Sequence, residues 1–181
     1  MKKSFLTSIL FFVFTFWSLA GEPVPGAEII IDQSPYDDPV AYQVTGSSGT
    51  ITFDHLDAGT YKIRIILPKL DEKFTKGQNK VKADMKSVFN AEKKTYYIRE
   101  PQGFFAVKFE GLKKVAGSNI APTYEKTKSA KGEKLLIASF TIVENMGEIT
   151  IKIEGLTSKE FASKAKKTMH DTAKAVIRNM K

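Results

Sequence analysis

The chain offers few groups for chemistry: 2 histidines, no cysteine and 20 carboxylates. His55 lies between Asp54 and Leu56, and His170 precedes Asp171. Neither has a second His or a Cys at metal-ligand spacing, which argues against a zinc site. Without cysteine there is no thiol nucleophile. No Gly-x-Ser-x-Gly elbow marks a serine hydrolase, and no glycine-rich loop marks a phosphate site. Carboxylate pairs that cleave glycosides act through their separation in space. A hydrolase is therefore an alternative that spacing along the chain does not test, and no catalytic residue is assigned.

One constellation has a specific chemistry, and it is acidic. Asp32, Asp37 and Asp38 flank one loop, while Asp54 and Asp57 flank another. Loops rich in carboxylates supply the oxygen ligands that calcium takes in exported proteins. Asp is also a common turn former, and no EF-hand spacing is present. Turn chemistry is the preferred reading. No cofactor is expected, with calcium at these five residues as the alternative.

Charge is divided unevenly. Residues 21–60 contain no Lys or Arg and seven acids, namely Glu22, Glu28, Asp32, Asp37, Asp38, Asp54 and Asp57. Everything after Thr60 carries 26 bases and 13 acids, a net of +13. Such a division fits internal pairing of the two parts or a polar partner surface. The simpler reading has the acids in turns and the lysines in solvent. An envelope surface held electrostatically by the Lys-rich part is one functional alternative.

The start of the chain reads as a leader. Lys2 and Lys3 precede an uncharged stretch from Ser4 to Leu19, and Ser18-Leu19-Ala20 puts small residues before Gly21. Basic, apolar and small in that order is the pattern of a secretory signal peptide, here residues 1–20. The apolar run is shorter than the roughly 20 residues of a spanning helix. An exported protein is expected, periplasmic or secreted. It is not lipid-anchored, because a lipobox needs a cysteine. Without Lys2 and Lys3, 26 bases against 20 acids leave +6.

The elements that would position any site are mostly strands. Residues 27–32, 40–44, 50–54 and 61–67 alternate apolar and polar types with period two, as strands with one buried face do. Turn signals separate them: Ser34-Pro35, Asp38-Pro39, Gly46-Ser47-Ser48-Gly49 and Asp57-Ala58-Gly59. Strands so closely spaced point to a sandwich or barrel and not to βαβ units. In the Lys-rich insertion at 69–95, Val81, Met85, Val88 and Phe89 recur at helical spacing, which predicts a short helix or an ordered flap. Strands return at 95–99 and 104–110. Residues 111–134, with Gly117, Pro122, Gly132 and six lysines, read as a long loop in which Lys126 is a surface residue. Residues 135–143 are apolar on both faces, as a central strand would be. Glu144-Asn145-Met146-Gly147 is a hairpin turn before Ile149, Ile151 and Ile153.

Thr157-Ser158-Lys159-Glu160 is a capping box that opens a C-terminal helix over 156–181. Phe161, Ala165, Met169, Thr172, Val176 and Met180 form one thin stripe along it, expected to pack on the sandwich. A basic amphipathic helix in peripheral contact with anionic lipid is the alternative.

Three stretches together resemble a known group of modules. They are Pro25-Gly26-Ala27-Glu28-Ile29, Gly49-Thr50-Ile51-Thr52-Phe53 and Leu56-Asp57-Ala58-Gly59-Thr60-Tyr61-Lys62-Ile63. The segment from about 24 to 67 is similar to prealbumin-like modules, both carboxypeptidase regulatory-like and collagen-adhesin B-type domains. Its corner is one residue longer than the Leu-x-x-Gly-x-Tyr-x-Ile pattern. The resemblance implies a prealbumin-like antiparallel β-sandwich used for scaffolding or binding, without catalysis. It also implies that Phe53, Leu56, Tyr61, Ile63 and Ile65 share the core, with Gly59 in a backbone conformation that a Cβ disfavours. The first strand lacks the lysine of the self-formed Lys–Asn crosslink, and no LPxTG-like signal is present, so neither crosslinking nor wall anchoring is expected.

The expected protein is thus mainly β, with a sandwich domain over 21–155 and a C-terminal α-helix. Its expected role is non-catalytic binding of a protein or glycan of the envelope or exterior. No nucleic-acid partner is expected.

Overall fold

The computed structural model describes residues 21–35, 38–82, 85–113, 119–129 and 132–180. The proposed leader and Asp37 lie outside the described residues. In chain order the strands are β1 (Glu22–Pro23), β2 (Glu28–Gln33), β3 (Asp38–Val44), β4 (Thr50–Leu56) and β5 (Gly59–Ile66). A short helix α1 (Glu72–Thr75) and a 3-10 turn (Gln78–Lys80) follow. Then come β6 (Ser87–Asn90), β7 (Thr95–Glu100), β8 (Gly103–Lys113), β9 (Asn119–Ser129), β10 (Gly132–Ile142), β11 (Gly147–Leu156) and the long helix α2 (Ser158–Asn179).

Two antiparallel sheets form. One runs β1-β11-β8-β7-β6, with β4 also paired to β11; the other runs β3-β2-β5-β10-β9. Period-two alternation explains why they pack. In β5, Tyr61, Ile63 and Ile65 are buried while the residues between them are partly exposed. In β11, Ile149, Ile151 and Ile153 do the same from the opposite sheet. The inward rows, with Ile29, Ile31, Phe53, Phe105, Val107, Phe109 and Phe140, make one apolar layer between the sheets. A second, smaller core lies on the other face of the first sheet. There Tyr97, Phe104 and Leu156 meet Phe161 and Ala165 of α2, and the Phe104 and Phe161 rings are 5.0 Å apart. The molecule is a mainly β antiparallel sandwich with its C-terminal helix laid on one sheet.

The β4–β5 corner is held by local chemistry. Phe53 and Leu56 are buried. The Tyr61 hydroxyl donates to the Asp57 carbonyl at 2.7 Å, and its ring stacks on Phe140 at 5.2 Å. The Asn145 side chain accepts from the Ala58 amide at 2.9 Å and ties this corner to the β10–β11 turn. Gly59 is not left-handed; the left-handed residue here is His55, with φ 55°. What Gly59 provides is room, because a Cβ there would sit 3.2 Å from Gln33 Nε2.

Three further expectations are corrected or sharpened. In the 69–95 insertion the short helix is α1 at Glu72–Thr75, and the helically spaced apolar residues further on divide between two layers: Val81 and Val88 join the second core while Phe89 packs against Tyr96 at 4.8 Å on the other face. Apolar residues there serve two layers, which imitates helical spacing. Within 111–134, strands β8 and β9 replace most of the long loop. Strand β9 borders its sheet, where Pro and Lys are tolerated and keep other chains from pairing. Pro122 sits opposite Ala138, at the register shift in β10. Finally, Val40, Tyr42 and Val44 lie on a strand as expected, but on its exposed side. Edge strand β3 turns Ala41 to the core, and Tyr42 donates to Glu28 at 2.9 Å on the outer face.

Candidate functional site

Of the five aspartates considered for calcium, the four described ones, Asp32, Asp38, Asp54 and Asp57, do not converge. Asp32 is buried and ion-paired to Arg64 at 2.8 Å. Asp38 opens β3, and Asp54 pairs with neighbouring His55 at 3.2 Å in solvent. Asp57 gives its carbonyl to Tyr61. Among the described residues no three metal-ligating side chains gather. The acidic first part does pair with the basic remainder, as in Asp32–Arg64 and Glu22–Lys73, the latter at 2.6 Å.

A different set of side chains converges where the C-terminal end of β7 in one sheet faces β9 of the other. Strand β7 alternates, so Tyr96, Ile98 and Glu100 share the inward face. The first two are buried in the apolar layer, and Glu100 continues that row as a carboxylate only 3% exposed. On β9, Ile120, Tyr124 and Lys126 share a face in the same way, and the first two pack against the core. The Tyr124 hydroxyl donates to Glu100 Oε1. Lys126 Nζ donates to Glu100 Oε2 at 2.7 Å, closing an ion pair across the two sheets. A buried carboxylate without partners would be costly; here each oxygen has one.

Gln78 and Lys86 form the next wall. Gln78 Nε2 donates to the Glu100 carbonyl at 2.9 Å, and Arg99 Nε donates to Gln78 Oε1 at 3.0 Å. Arg99 Nη1 donates to the carbonyls of Val81 and Lys82 at 3.1 and 3.2 Å. The Arg99 amide donates to the Lys86 carbonyl at 2.8 Å. Arg99 thus pins Gln78, Val81 and Lys82 to β7 with one edge of its guanidinium, and Nη2 keeps its two donors.

These groups surround a cavity of about 490 Å³ lined by Gln78, Lys86, Arg99, Glu100, Pro101, Tyr124 and Lys126. Clefts beside α2 and beside β1 are much smaller, about 190 and 180 Å³. Lys126 neutralises the one carboxylate, Glu100, and Lys86 and Arg99 bring two further cations to the wall. The wall combines cationic donors, an amide and an aromatic ring, the usual equipment for holding an anionic group in a set orientation.

Sequence reading did not find this site, and it placed Lys126 in a surface loop. A signal was present: by period two, Glu100 falls on the core face of a strand that begins Thr-Tyr-Tyr-Ile. A charge on an apolar row calls for a partner. Which partner was invisible, because Tyr124 and Lys126 lie in the stretch read as loop. Fold and site together define a class, a two-sheet antiparallel β-sandwich with a cation-lined cavity at one edge. No family model, curated protein or solved structure matches the chain.

Proposed function

We propose that the protein is an exported, non-catalytic binding module that takes a carboxylate-bearing group of a glycan or protein in the β7–β9 cavity. The observation that carries this is the gathering of Lys86, Arg99 and Lys126 around a cavity whose own carboxylate, Glu100, is already satisfied. An incoming carboxylate would meet the donors of Arg99 Nη2 and the ammonium groups of Lys86 and Lys126. Tyr124 offers an aromatic edge against which a sugar ring or side chain can rest. Export is supported by the order of residues in the leader. Kinship with prealbumin-like modules is part of the same proposal. It is supported by the Leu56–Ile63 corner and by the sandwich, and modules of that kind serve binding or scaffolding.

The test is calorimetric titration with oligogalacturonate and poly-glutamate, against a neutral dextran oligomer. Saturable binding of one acidic probe, none of dextran, and at least tenfold weakening in Lys86→Ala/Lys126→Ala is expected. Absence of binding to both acidic probes, or equal affinity in the double variant, contradicts the proposal.

A further inference from the structure

The capping box of α2 forms as its sequence predicts. Thr157 Oγ1 accepts from the Glu160 amide at 3.3 Å, and Glu160 Oε2 accepts from the Thr157 amide at 2.7 Å. From there the helix has two unlike halves. In the first, Phe161, Ala165 and Thr168 are buried against the sheet. From Met169 to Met180 every residue is exposed. Met169, Thr172, Val176 and Met180 therefore do not extend the packed stripe into the core. Twelve residues rise about 18 Å, so roughly three turns of helix have no buried residue, and Asp171, Thr172 and Ala175 border the sandwich across a cleft from Asn90, Ala91 and Glu92.

Those turns carry an apolar face of their own. At 100° per residue, Met169, Ala173, Val176, Ile177 and Met180 point roughly a quarter turn away from the face of Phe161, Ala165 and Thr168. Met169, Val176, Ile177 and Met180 are 43, 52, 60 and 82% exposed. Beside this stripe, on the side away from the sheet, run Lys166, His170, Lys174 and Arg178. Asp171 is the one acid of the exposed half. A free-standing helix this short is marginal in water, and its apolar stripe stays wet unless something covers it.

We propose that the distal half of α2 docks on an anionic lipid surface, with the Met169–Met180 stripe in the headgroup–acyl boundary and Lys174 and Arg178 on phosphates. The charge row decides the occupant. Lysine and arginine beside an apolar stripe suit anionic headgroups, and their stems can lie along the boundary while the charges reach phosphate. A second copy of the same helix would bring two such cationic rows together with little acid to offset them, which disfavours pairing. This inference is independent of the carboxylate cavity, which no residue of α2 lines.

The experiment is vesicle co-sedimentation of the chain beginning at Gly21, which holds both sheets and both helices, with size-exclusion light scattering run alongside. Vesicles of phosphatidylcholine alone are compared with vesicles containing phosphatidylglycerol. At least tenfold stronger partition to the anionic vesicles is expected, lowered several-fold by high salt. Val176→Glu/Ile177→Glu, at positions 52 and 60% exposed, should abolish it with an unchanged circular-dichroism spectrum. Equal partition to both vesicle types, or wild-type partition by the double variant, overturns the proposal. So does a dimer that the double variant dissolves in a chain that ignores vesicles.

Discussion

Along strand β7, Tyr96 and Ile98 point into a layer made of apolar side chains, and two residues further on the same face Glu100 points into a polar seam. The apolar layer is redundant. Isoleucines and phenylalanines from both sheets fill it, and each is held by contacts with many others. The seam is a small set in which each group has a named partner: Glu100 with Tyr124 and Lys126, Arg99 with Gln78 and the 81–82 carbonyls. An apolar residue at 100 would extend the core without needing any partner. Buried ion pairs are weak contributors to stability compared with apolar packing. The difference teaches that the layer holds the fold and that the seam has its use at the cavity it lines.

That contrast can be broken at either end. Phe53→Ala, in the apolar layer, should cost about 3–5 kcal/mol, as truncation of a buried Phe does; a denaturant melt that matches wild type would remove Phe53 from the core. High pH attacks the same layer. Burial pushes the Tyr96 hydroxyl up from 10.0 to about 12, and burial also raises Tyr97 and Tyr61. The folded state therefore keeps protons that the unfolded chain loses above the ordinary tyrosine value. Stability is full below pH 10 and falls as pH rises through about 12. The loss from Tyr96 alone is on the order of 2 kcal/mol. Melts from pH 8 to 12 read it, and Tyr96→Phe should flatten part of the decline.

The seam should respond less. Lys126→Ala leaves buried Glu100 with Tyr124 alone and should cost about 1–2 kcal/mol, tempered by the exposure of the lysine. This replaces the loss of less than about 0.5 kcal/mol that a loop lysine would give. Glu100→Leu/Lys126→Met should recover most of that stability while abolishing carboxylate binding. If the pair of changes destabilises more than Lys126→Ala alone, the seam holds the fold after all. At the small end, Lys174→Ala on the exposed half of α2 should change the melt by less than about 0.5 kcal/mol.

Much of the fold was legible because period two is a local signal. Tyr61, Ile63 and Ile65 announce a buried strand face, and Thr157 with Glu160 announces a helix start. Residues 111–134 were not legible for a physical reason. β9 borders its sheet, where Pro122 and lysines are tolerated, so a strand that carries Pro122 and Lys126 looks like a loop. The same happened in reverse on β3, where Val40, Tyr42 and Val44 carry a core-like pattern to a solvent face. The cavity residues are Gln78 and Lys86, Arg99 to Pro101 at the end of β7, and Tyr124 and Lys126 of β9. Their meeting depends on β9 pairing with β10, a contact that no spacing along the chain encodes. The acidic positions Asp32, Asp38, Asp54 and Asp57 had the opposite fate: near in sequence, they separate to Arg64, to a strand start, to His55 and to a corner.

The claim that the β7–β9 cavity is a carboxylate site is tested most directly by following backbone amide resonances during titration with oligogalacturonate and poly-glutamate. Saturable shifts from one of them should cluster at Gln78, Arg99, Glu100, Tyr124 and Lys126, and should vanish in Lys86→Ala/Lys126→Ala. Shifts spread over the lysines of α2 with the cavity amides unmoved, or no shifts from either ligand, would contradict it.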